Sequence, residues 1–115
     1  MKELIEFLEI VENNEFVEGH EVLEDKWKEW KKIPEKREES FILKGLINGS
    51  TAIALKVLKR EKPSQQVWCT FLKYSPLIDE IDSEFTPLYQ KARDILERKS
   101  IEYKIETQYP QKRDK

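Results

Sequence analysis

Cysteine is almost missing from this chain. Cys69 stands alone, so there is no intrachain disulfide and no multi-cysteine zinc cluster, and stability has to come from packing. Long apolar runs are missing too. No stretch reaches the roughly 20 consecutive apolar residues of a membrane span. The opening MKELIEFLEIVE carries acids where a secretory leader has a basic segment and then an unbroken apolar one. The expectation is a cytoplasmic protein with no membrane partner. An excess of one charge sign is the third absence. The 21 basic and 23 acidic side chains leave a net charge of -2, which supplies no field to hold a polyanion, and no nucleic-acid partner is expected.

Three glycines and five prolines are few interruptions for 115 residues. Between them the apolar residues recur at spacings of three and four rather than two, the pattern of helices and not of strands. Hydrophobic and charged residues each make up 38%, which suits helices with one apolar face and one solvated ionic face. The prediction is an all-α fold: a bundle of about five helices forming a single domain over residues 1–106. Residues 107–115 lack an apolar pattern and are expected to fray.

Leu4, Phe7, Leu8 and Val11 mark a first helix, which Asn13 and Asn14 break because both favour turns and caps. A second helix is expected from about Val17 to Lys31, with Phe16, His20, Leu23, Trp27 and Trp30 on one face. KKIPEKREE reads as a solvated connection whose Pro34 fits the first turn of the next helix. That helix, from about Glu38 to Lys59, is apolar or small nearly all round, the mark of a central element. Gly45 and Gly49 inside it each cost about 1 kcal/mol relative to alanine, which close approach of another helix would offset. Trp27, Trp30 and Trp68 are assigned to packing. REKPSQQ reads as a break before a fourth helix carrying Val67, Trp68, Phe71 and Leu72. Leu77, Ile78 and Ile81 suggest a short turn, and Thr86 as cap with Pro87 opens a last helix with Leu88, Ala92, Ile95 and Leu96 inward.

The stretch FVEGHEVLE holds the only histidine. His20 lies within an apolar stripe, Glu24 flanks it, and Glu21 lies further round. H-E-x-x-E differs from the zinc-protease pattern H-E-x-x-H by its last ligand. A divalent metal on His20 and Glu24 is an option but not the favoured one, since two ligands on one face fall short of the three that zinc sites need. Taken by itself, His20 is more simply a buried neutral imidazole hydrogen-bonded to Glu24 or Asn48. Cys69, between Trp68 and Phe71, reads as an inert small hydrophobe.

Asn14, Phe16, Glu18, Gly19, His20, Glu21, Leu23, Glu24 and Trp27, followed by FILKGLINGSTAIAL, resemble the prokaryotic family named domain of unknown function 309. Its members carry a segment like F-x-x-G-x-F-x-E-A-H-E-x-L-E-x-x-W and then a helix like F-L-Q-G-L-I-Q-x-A-x-A. The resemblance covers roughly residues 8–60. It implies a compact all-helical fold in which the histidine–glutamate helix packs on the glycine-bearing one, and it supplies no activity, substrate or cofactor. The family positions carried over are Glu18, His20, Glu21, Glu24, Gly45 and Asn48. Lys44 and Asn48 stand where the family pattern has glutamines, and Gly19 where it has alanine.

The leading expectation is a polar, partly buried cleft between the second and third helices. There His20 and Glu24, with Glu21, Asn48 and Glu18, would bind a small molecule or metal ion. The alternative is a non-catalytic interaction module, for instance a homodimer, in which the His/Glu cluster is a structural hydrogen-bond network. No reaction is assigned, because spacing supplies no catalytic geometry.

Overall fold

The structure, a computed structural model, describes residues 1–105; the tail expected over 107–115 lies outside them. Six helices follow one another: α1 (Lys2–Glu12), α2 (Phe16–Trp30), α3 (Arg37–Val57), α4 (Glu61–Tyr74), the single-turn α5 (Leu77–Glu80) and α6 (Thr86–Glu102), with a 3-10 turn at Pro34–Lys36 before α3. The all-α expectation holds, and the five long helices are those anticipated. As expected of a helix apolar nearly all round, α3 is central: α2 and α4 pack on it, α6 and α5 also touch it, and α1 lies against α2 and α6.

Local chemistry explains the breaks. Asn14, in the middle of the first connection, lies in the left-handed region at φ 66°, a conformation asparagine tolerates better than most residues. Two boundaries differ from expectation. α4 begins at Glu61, inside the segment read as a break. Pro63 falls in its first turn, where a missing N–H removes no helical bond, and the chain turns instead at Lys59, φ 63°. Inside the first turns of α4 the buried Ser64 hydroxyl donates to the Ala52 carbonyl at 2.7 Å, tying α4 to α3. Likewise Thr86 is the first residue of α6 rather than its cap, and its Oγ1 accepts from the Ser83 N–H at 3.2 Å.

The glycines do admit close neighbours, though not the same one. A Cβ on Gly45 would lie 3.0 Å from Tyr74 Cβ, and one on Gly49 would lie 2.9 Å from Leu96 and 3.0 Å from Phe71. These glycines therefore seat α4 and α6, not α2. The α2/α3 approach rests on Gly19, where a Cβ would come within 2.6 Å of Ser50 Oγ and 2.9 Å of Val11. Ser50 uses that space to donate to the Phe16 carbonyl at 2.6 Å. Gly19→Ala should gain about 1 kcal/mol of helix propensity and lose more by displacing this buried bond, at about 1–3 kcal/mol. The expected net is a destabilisation of about 1 kcal/mol in urea unfolding; a more stable Gly19→Ala would contradict the packing described.

α6 in turn holds the end of α1. Arg98 makes a two-pronged contact with Glu12 at 2.9 and 3.2 Å, and the buried Lys99 ammonium donates to the Glu12 carbonyl at 3.2 Å. Cations there meet the negative end of the α1 dipole, and the Arg98 hydrogen bond holds the Glu12 carboxyl below its ordinary value.

Candidate functional site

Along the seam between α2 and α3, His20, Glu24 and Trp27 from one helix meet Lys44, Ile47, Asn48 and Thr51 from the other around one cavity of about 200 Å³. The spacing explains the meeting. Positions 20, 24 and 27 share a face of α2, and 44, 48 and 51 share a face of α3, because residues three and four apart stack one turn above another. Phe16, Leu23 and Trp30 on the same stripe of α2 are buried. His20 and Trp27 are only half-buried, since they sit where the seam opens.

Most of the polar groups are tethered within their own helix. The Asn48 amide N–H donates to the Lys44 carbonyl at 2.7 Å, which leaves its side-chain oxygen free to accept. Thr51 donates to the Ile47 carbonyl at 2.9 Å. Glu24 approaches Lys28 at 3.9 Å, a loose surface pair. His20 forms no hydrogen bond or ion pair with any described residue. The expected bond from His20 to Glu24 or Asn48 is therefore not made: His20 is a half-exposed imidazole facing a cavity rather than a satisfied core group.

The sequence-derived set divides accordingly. His20, Glu24 and Asn48 come together, with Trp27 lining the cavity as well as packing. Glu18 and Glu21 are exposed and lie outside the cavity lining; they fall on arcs of α2 turned from α3. Among the described residues no group of three or more His, Cys, Asp or Glu could hold a metal ion, so His20 and Glu24 find no third ligand. Lys44 and Thr51 were not anticipated as site residues. Their spacing from Asn48, four residues before and three after, was the available signal.

The sequence reading missed another constellation altogether. Glu39, in the first turn of α3, accepts 2.7 Å hydrogen bonds from the hydroxyls of Tyr89 and Ser83, and Lys36 lies 3.5 Å from its other oxygen. Tyr89 is fully buried. Burial, and then the Glu39 carboxylate, push its phenol far above its ordinary value. A network of this kind fastens the α5–α6 connection to the start of α3.

The model of the family described as a domain of unknown function (DUF309) matches residues 4–67, more than half of the chain. The chain belongs to this family. The DUF309 match reaches from α1 into α4 and so extends beyond the 8–60 span on which the resemblance was drawn. Every residue of the α2/α3 cavity lies inside it, whereas Ser83 and Tyr89 lie outside. No curated protein and no solved structure matches the chain. No helix among the described residues is long and apolar enough to cross a membrane.

Proposed function

We propose that this DUF309 protein is a small-ligand-binding domain whose site is the α2/α3 seam, with His20, Glu24 and Asn48 as its polar contacts and Trp27 as an apolar wall. The observation that carries this is the His20 imidazole: it lines a cavity of about 200 Å³ with no hydrogen-bonding partner among the described residues. The half-buried ring is left for water or a ligand to meet, and ligand sites typically combine an apolar wall with a few convergent polar groups. A ligand supplies the partner here. Metal binding is not part of the proposal, and no reaction is.

Because His20 is the only histidine, its ring gives one isolated set of NMR signals. Adding the small-molecule fraction of the host extract to tag-free protein should shift those signals, and Glu24→Gln should weaken the response. Ring signals that stay fixed while the extract is titrated would refute the assignment.

A second reading, a homodimer or other interaction module, has its own support. Val17 and Leu58, 53% and 64% exposed, stand together at one end of the seam, an apolar pair open to a partner. A stable dimer that Leu58→Asp dissociates would favour it.

A further inference from the structure

The cavity at His20 is the middle of three that share walls. Toward the start of α2 it shares His20 and Thr51 with an apolar cavity of about 190 Å³ bounded by Phe16, Val17, Leu55 and Leu58. Toward the end of α2 it shares Trp27 and Lys44 with a cavity of about 390 Å³, whose remaining wall includes Lys31, Lys32, Arg37 and Phe41. We read the three, adjacent in line along the seam, as one groove. From Val17 to Lys31 it runs about 21 Å, at about 1.5 Å of helix rise per residue.

The groove is graded along its length. One end is aliphatic, the middle offers an imidazole, the Glu24 carboxylate and a free amide oxygen, and the far end carries four cations with no acid in its lining. None of Lys31, Lys32, Arg37 and Lys44 makes an ion pair with a described residue. Three of them rest against aromatic rings instead: Lys31 4.4 Å over Trp27, Lys44 5.7 Å over Tyr74 and Arg37 5.8 Å over Phe41. On a chain of net charge -2 this is a local inversion of sign.

The geometry points to a linear anionic amphiphile as the ligand. Its carboxylate or phosphate sits among Lys31, Lys32, Arg37 and Lys44, its hydrogen-bonding middle meets His20, Asn48 and, through a donor, Glu24, and its aliphatic end covers Val17, Leu55 and Leu58. A neutral ligand would leave the cations unpaired, and an inorganic anion would leave the apolar end bare. The ligand is taken as a free monomer, because the cations close one end of a groove rather than spreading over a face that could lie on a bilayer. The inference rests on the seam being a ligand site, as proposed above, and adds the chemical class.

The test is calorimetric titration of the tag-free chain with monomeric N-dodecanoylglycine, which carries carboxylate, amide and alkyl chain in that order. Saturable binding is expected. N-acetylglycine and inorganic phosphate should each bind at least about a hundredfold more weakly, since each buried methylene is worth up to about 0.8 kcal/mol. The neutral N-dodecanoylglycinamide, the Lys31→Glu/Lys32→Glu variant and Leu58→Asp should each lose about tenfold or more; all three substituted positions are exposed, and circular dichroism checks the fold.

Equal affinity for the glycinamide, an unchanged Leu58→Asp, or binding only to vesicles of anionic lipid would overturn the inference. So would the absence of saturable binding. If N-dodecanoylglycine fails while the purified protein carries a different compound that His20→Ala releases, only the amphiphile is wrong and the ligand site stands. If no compound is carried either, both fall.

Discussion

Glu39→Ala is expected to lower stability by about 3 kcal/mol and the melting temperature by about 10 °C. The carboxylate accepts from two hydroxyls 44 and 50 residues away in sequence, Ser83 and Tyr89, each at 2.7 Å. Removing it leaves the fully buried Tyr89 O–H without an acceptor, a loss of about 1–3 kcal/mol, to which the Ser83 contact adds. Tyr89→Phe should cost less, because Glu39 keeps Ser83 and Lys36. The same network sets an alkaline limit. In the unfolded chain the phenol ionises near 10, whereas in the folded chain its value is raised. Above pH 10 the folded state therefore holds a proton that the unfolded state has lost, so this contribution is complete below pH 10 and declines as pH rises further. Tyr89→Phe should lack that part of the decline. A Glu39→Ala protein within about 0.5 kcal/mol of the parent would refute the role given to the network.

Gly49→Val should be of similar size, about 3 kcal/mol, through overpacking rather than a lost bond. Its Cβ would stand 2.9 Å from a Leu96 methyl carbon and 3.0 Å from the Phe71 ring, closer than carbon atoms pack, with two further methyl groups beyond. Leu96 and Phe71 are fully buried and belong to different helices, so α4 and α6 must both yield. Urea unfolding measures the loss. Adding Leu96→Ala makes room, so the double variant should lose less than the sum of the two singles. Strict additivity would mean that Gly49 does not seat these helices.

What the sequence disclosed, and what it hid, follows from range. The stripes Leu4, Phe7, Val11 and Phe16, Leu23, Trp30 report helices because their periodicity is local and their burial follows from it. His20, Glu24 and Asn48 were legible as a group, since His20 and Glu24 lie on or beside an apolar stripe of α2 and Asn48 lies on the small-residue side of α3. Glu18 and Glu21 were counted with them only because they are neighbours in the chain, and about 100° per residue turns them away. Glu39 gave no sign of itself. It looks like one more first-turn acid of α3 until the fold brings Ser83 and Tyr89 against it. The partners of Gly45 and Gly49 were hidden for the same reason: glycine signals that something comes close, never which helix does. Nor could the order of the groove be read from one dimension, because its cations come from the end of α2, the connection after it and two turns of α3.

Native mass spectrometry of tag-free protein beside its His20→Ala variant would decide whether the seam is a ligand site. The parent should carry an added small mass that the variant lacks, both at the same subunit number. A parent that is bare and stays bare when N-dodecanoylglycine is added, or an added mass that survives His20→Ala, would contradict a ligand site built on that imidazole.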